Sequence, residues 1–150
     1  MEKKSIHIII WLIFFVASAG LVFTATLSKD ISVASIMNVK IVQDKDTGIW
    51  RVRDNKGRNK GTINVKKKDR IVWQAIGSDL VFTFPKPVNK YFDYEKGLFA
   101  DSTSQRVSDK EKLRLTVKAT APSDTVVYEV YVVDADTFVV GNSPPKVVIK

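Results

Sequence analysis

From Met37 to Lys150 the apolar residues recur at every second position or in short runs closed by turns. Nowhere do they keep the 3.6-residue interval of an amphipathic helix. That pattern admits sheets and excludes a helical body. "KLRLTVKA" (112–119) is the clearest case: Leu113, Leu115 and Val117 point one way, Lys112, Arg114, Thr116 and Lys118 the other. Further strands are expected at "IMNVKIVQ" (36–43), "GIWRVR" (48–53), "TINVKK" (62–67) and "RIVWQAI" (70–76). "LVFTF" (80–84), "TVVYEVYVV" (125–133) and "KVVIK" (146–150) complete the set. "DKDT" makes the first pair a hairpin, and "DNKGRNKG" (54–61) is turn chemistry. Pro85 and Pro87 end the strand before them, because proline donates nothing to a ladder. Residues 85–112 are the least regular, with a turn of helix expected at "KYFDYEKG" and a short strand near Gln105–Val107. About eight short strands with turns every 8–12 positions predict an all-β, antiparallel Greek-key sandwich over residues 37–150.

The N-terminus bears on compartment. After Lys3 and Lys4 no charge occurs from Ser5 to Ser28, His7 being neutral. A helix over those 24 positions is roughly 36 Å long, enough for a hydrocarbon core of about 30 Å. The lysines ahead of it hold the N-terminus in the cytoplasm. Two readings stand. In one, residues 1–28 are an uncleaved transmembrane anchor with Lys29-Asp30 at its exit. In the other they are a signal peptide, with Ile6–Val16 as the apolar region and Ala17-Ser18-Ala19 as the cleavage site. Residues 29–36 form a linker. Both readings put the sheet domain outside the cytoplasmic membrane, periplasmic or extracellular, tethered in the first and secreted in the second.

Cysteine is absent, which excludes a disulfide framework, thiol redox chemistry, Cys-ligated metals and a lipoprotein anchor. The sole histidine, His7, is a stray polar residue of the N-terminal run, so the domain has no imidazole base. No G-x-S-x-G and no Gly-rich phosphate loop occurs. Ser102, Thr103 and Ser104, near Asp101 and Lys110, read as a turn, and Asp93 with Glu95 do acid–base work only in a cleft. Asp134 and Asp136, with Glu129 and Asn142, lack the ligand number and the glycine of a calcium loop. A non-catalytic protein with no cofactor is expected.

Charge is concentrated. Arg51, Arg53, Lys56, Arg58, Lys60, Lys66, Lys67, Lys68 and Arg70 face only Asp54 and Asp69 in the window 51–70, a local net of +7 in a chain of +8. Basic hairpin tips of this kind attract phosphate or carboxylate groups. The plainer reading is solubilising charge at turns, with edge lysines that discourage aggregation. Nucleic acid is excluded as a partner, since no stacking aromatics interleave with the basic residues. Trp73 reads as core. Trp50, between Ile49 and Arg51 in an outer hairpin, reads as the exposed aromatic.

"GTINVKKKDRIVWQAIGSDLVFTF" (61–84) resembles the paired opening strands of cupredoxin-like domains. Val65, Lys67, Lys68, Asp69, Ile71 and Trp73 match that family's "V-x-K-G-D-x-V-x-W" in kind, with Lys68 where glycine is usual. "APSDTVVYEVYVV" resembles its approach to the last strands, and "GNSPPKVVIK" the tail of bacterial cupredoxin-like domains. A blue-copper site takes a Cys thiolate and two imidazoles, usually with a weak axial Met. The resemblance would put the first His near Asp79 or Leu80, the Cys near Val132, and the second His within Asp134–Val140. None is present, so the resemblance implies the fold without copper. The expected role is that of a membrane-tethered or exported interaction module for an envelope protein, with Asp134, Asp136, Asn142, Pro144 and Pro145 as the contact loop. The alternative is a binder of anionic envelope ligands, lipid headgroups or polymers, through residues 51–70.

Overall fold

The computed structural model describes residues 33–140 and 144–150. The expected anchor or signal segment (1–28), the first residues of the linker and Asn142 lie outside the described residues. Among the described residues there is no α-helix, and no helix long and apolar enough to cross a membrane.

Twelve strands occur among the described residues. The first six are β1 (Ile36–Gln43), β2 (Trp50–Asp54), β3 (Thr62–Val65), β4 (Arg70–Ala75), β5 (Leu80–Thr83) and β6 (Phe92–Asp93). Then come β7 (Ser104–Val107), β8 (Lys112–Val117), β9 (Asp124–Val127), β10 (Glu129–Val132), β11 (Thr137–Phe138) and β12 (Lys146–Ile149). The helical turn expected at 90–97 is instead a 3-10 turn at Val88–Lys90, followed after Tyr91 by β6.

The strands form three sheets, ordered β2-β1-β4-β8-β6, β11-β10-β5-β7 and β3-β12-β9. Most neighbours are antiparallel, as expected. Two pairs correct that expectation: β1 runs parallel to β4, and β3 parallel to β12. Parallel neighbours need long crossovers, whereas sequence turn signals reveal only hairpin partners.

The single strand expected at 125–133 is also divided. Val126, Tyr128, Val130 and Val132 are all buried, so the inward alternation runs unbroken. The partner changes at Tyr128: β9 pairs with β12, and β10 with β5. Tyr128 itself donates its N–H to the Pro145 carbonyl at 3.0 Å. The second and third sheets are thus joined through one run of chain.

The first sheet packs against that junction. Trp73 on β4 is fully buried and meets Phe82 of β5 and Tyr128 edge-on, at centroid distances of 5.9 and 5.6 Å. Its Nε1–H donates to the Tyr128 hydroxyl at 3.0 Å. Leu113, Leu115 and Val117 of β8 are buried in alternation, as their spacing predicts.

The β3–β4 turn is held by Asp69, only 5% exposed. Its carboxylate accepts the N–H groups of Ser35 and Lys66, each at 2.8 Å. Burial alone raises its pKa, but those two donors outweigh it and hold the carboxyl below its ordinary value. Lys68 stands there at φ 72°, in the left-handed region that favours glycine.

Candidate functional site

Alternation in the five-stranded sheet turns Val39, Ile41, Ile71, Trp73 and Leu113 inward and sends their neighbours outward. Register aligns the outward residues in rows. Arg53, Lys40, Gln74 and Lys112 stand side by side across β2, β1, β4 and β8. Asn38, Val72 and Arg114 form the next row, and Ile36, Arg70, Thr116 and Asp93 the one beyond. Arg51 stands opposite Val42 on the other side. Lys40, Arg51, Arg53, Arg70, Lys112 and Arg114 therefore share one face.

Such a face is held at a cost, because like charges directly opposite on neighbouring strands, such as Arg53 and Lys40, destabilise a sheet by a few tenths to about 1 kcal/mol. Asp44 relieves part of it by binding the Arg53 guanidinium. Backbone donation from Thr47 is the main cause holding the Asp44 carboxyl below its usual range, and Arg53 adds to it. Lys40, Arg51, Arg70, Lys112 and Arg114 make no ion pair with the described residues.

At one end the face sinks into an open groove of about 270 Å³. Arg70 and Arg114 line it together with Thr116, Asp93, Tyr94 and Glu95. Asp93 is the last residue of β6, and the chain leaves the sheet there. The Tyr94 ring is braced edge-on by Phe99 at 5.1 Å. Lys118 approaches Asp93 at 3.8 Å.

The basic window read from the sequence divides into three groups. Arg51, Arg53 and Arg70 join the sheet face. Lys56, Arg58 and Lys60 follow β2: Arg58 pairs with Asp54 at 2.7 Å, and Lys60 donates its N–H to the Val52 carbonyl at 2.8 Å. With Asn59 bridging Arg53, this segment covers part of the outer edge of β2. Lys66, Lys67 and Lys68 are exposed on the β3–β4 turn. Lys40, Lys112 and Arg114, half of the basic face, lie outside the window. Alternation marks Lys112 and Arg114 as solvent-facing, but only strand order puts them beside Lys40 and Arg53.

Trp50 is a correction. It is 5% exposed and shares the inward parity of Val52, while Arg51 and Arg53 take the outer positions. Its ring lies beside Gly77, where an added Cβ would come within 3.6 Å and where φ is +90°. Trp50 Nε1 has no hydrogen-bond partner among the described residues.

Asp134 and Asp136 are exposed in the turn between β10 and β11. The Asp134 N–H donates to Ser78 Oγ at 3.1 Å. The Tyr131 hydroxyl donates to Asp136, which raises the phenol's pKa. Pro144 is exposed, but Pro145 is buried and its carbonyl receives the Tyr128 N–H, so it braces the sheet junction and is not a contact residue. The positions where the resemblance would put metal ligands do meet: Leu80 pairs with Val132, and the Val133 N–H donates to the Asp79 carbonyl at 3.0 Å. Leu80 and Val132 are fully buried there. No cluster of three or more His, Cys, Asp or Glu suited to a metal occurs among the described residues. On the outer face of the second sheet Val81, Tyr131 and Phe138 stand in a row, with Phe138 and Val140 each 53% exposed.

No family model and no curated protein matches the chain. Among solved structures it is similar to the reduced Cu(I) form, at pH 4, of a proline-to-glycine mutant of amicyanin. Identity is 14% and the TM-score 0.34, over 77% of this chain and 82% of that one.

Proposed function

We propose that the protein is a non-catalytic module of the cell envelope, cupredoxin-like and copper-free, that binds anionic polymers or lipid headgroups on the outer face of its five-stranded sheet. One observation carries this reading: register gathers six basic side chains onto that face, five of them without an ion pair among the described residues. A sheet that keeps Lys40 opposite Arg53 gives up stability, and an anion shared between them recovers the part that Asp44 leaves unrelieved. Attraction by such a face acts over about 8 Å at physiological ionic strength. The apolar N-terminal run supports export, which makes phosphate-bearing lipids and polymers the available anions.

The test uses the whole chain in a non-ionic detergent, with a labelled polyphosphate as probe. Binding is expected to weaken steeply between low and high salt, and to disappear on changing Lys40→Glu together with Lys112→Glu. Binding indifferent to both refutes the proposal. A second reading, a protein partner, is favoured by the exposed row Val81, Tyr131 and Phe138. Capture of such a partner would be insensitive to salt and lost in Phe138→Asp.

A further inference from the structure

The groove at the end of the basic face differs in kind from the face itself. Two guanidinium groups, Arg70 and Arg114, and two carboxylates, Asp93 and Glu95, line it, so its formal charge is balanced. A bare anion gains less there than beside Lys40 and Lys112, which make no ion pair with the described residues. The charges are also sorted by strand. Arg70 lies on β4 and Arg114 on β8, diagonal neighbours across the pairing of Arg70 with Thr116. That spacing lets both reach oxygens of one phosphate, and Thr116, directly opposite Arg70, lines the groove with them. Asp93 lies on β6, on the far side of β8, and Glu95 follows two residues later.

We infer that this groove binds a zwitterion, a phosphate ester bearing a primary ammonium group, with the phosphate on Arg70 and Arg114 and the ammonium on Asp93 and Glu95. Two strand spacings, about 10 Å, separate the backbones that carry Arg70 and Asp93. Arg114, on the strand between, is a diagonal neighbour of both, and a phosphate and an amine joined by two carbons are short enough to lie within that span. A primary ammonium donates hydrogen bonds to both carboxylates, and Tyr94, between Asp93 and Glu95 in sequence, lines the groove beside them. Among the described residues neither arginine makes a salt bridge and the Asp93 carboxylate pairs only with Lys118, at 3.8 Å, so a ligand displaces little. The inference rests on the proposed anion-binding role of the face and narrows it to one ligand chemistry.

The test titrates the full chain, in non-ionic detergent, with phosphoethanolamine, inorganic phosphate, ethanolamine and alanine, following the backbone amide signals of Thr116 and Glu95. Phosphoethanolamine is expected to bind at least about fivefold more tightly than phosphate or ethanolamine, each of which satisfies one half of the groove. Arg114→Gln should remove phosphoethanolamine binding, and the exposed position tolerates that change. Asp93→Asn with Glu95→Gln should abolish the preference while tightening inorganic phosphate. Equal affinity for phosphoethanolamine and phosphate, or a preference unchanged by those variants, overturns the inference. Preferential binding of alanine also overturns it, since the anionic end is then a carboxylate. Doping the micelles with phosphatidylethanolamine identifies the source: competition with the soluble ester points to a lipid headgroup, its absence to a soluble or polymer-borne ester, and the ligand chemistry stands in both. Salt-sensitive polyphosphate binding without a zwitterion preference removes the groove inference alone. Loss of both removes the reading of the face.

Discussion

Changing Tyr128→Phe tests the joint on which the two layers meet. Tyr128 and Trp73 are fully buried, and the hydrogen bond between them, Trp73 Nε1–H to the phenol oxygen, is 3.0 Å long. Phenylalanine fills nearly the same space, so the change acts on polarity and hardly on packing. It leaves the Trp73 N–H buried without an acceptor, which costs about 1–3 kcal/mol. Part of that is returned, because the phenol hydroxyl no longer has to be held away from water, so a net loss of about 1–2 kcal/mol is expected. Urea unfolding followed by tryptophan fluorescence measures it. With an m-value of about 1.5 kcal/mol per molar, the midpoint should fall by roughly 1 M at an unchanged slope. The double-mutant cycle with Trp73→Phe should return a coupling of about 0.5–1.5 kcal/mol, the hydrogen bond itself. A midpoint shift below about 0.2 M, or a coupling near zero, would falsify the claim that this bond ties the sheets together.

Three further outcomes are expected. Lys68→Gly should stabilise the fold by about 0.5–1 kcal/mol, because relief of the left-handed strain at φ 72° exceeds the entropy glycine adds to the unfolded chain; a destabilised variant in the same urea assay contradicts this. Asp124 is held down to about 2 by Lys86, then by the Tyr91 hydroxyl and the Thr125 N–H. Its folded pKa lies below the unfolded value of about 3.9, so the stability it contributes is present above about pH 4 and disappears as pH falls through about 2. Asp124→Asn should therefore flatten the fall of Tm over that interval, and parallel Tm profiles refute the assignment. Trp50→Phe removes a buried N–H that has no described partner, so its loss of stability should be only that of trimmed apolar contact, smaller than for Trp73→Phe; an equal or larger loss overturns that comparison.

The sequence discloses which way a strand faces and, beyond the β1–β2 hairpin, conceals whom it meets. The period-two pattern gives the inward set Leu113, Leu115 and Val117 directly, and with it the outward set Lys112, Arg114 and Thr116. It carries the alternation through Tyr128 correctly and misses the change of sheet there, because a change of hydrogen-bond partner leaves side-chain polarity untouched. The same blindness hides the basic face. Arg51 and Arg53 look like hairpin charge, and Lys112 and Arg114 like the wet side of a distant strand, until the parallel pairing of β1 with β4 brings them together. Trp50 is legible by parity with Val52, but its place in an outer hairpin points the other way. The groove is the hardest part, since two of its walls come from β6 and the residues after it, where no periodicity exists. Sequence cues that agree with one another explain a stable sheet; a local conflict that persists within it calls for a separate cause. Lys40 beside Arg53 is such a conflict, and swapping Lys40 for threonine would favour the strand while removing the repulsion. Asp44, bound to the Arg53 guanidinium, relieves part of it, and the anion proposed for this face would relieve the remainder by meeting both side chains.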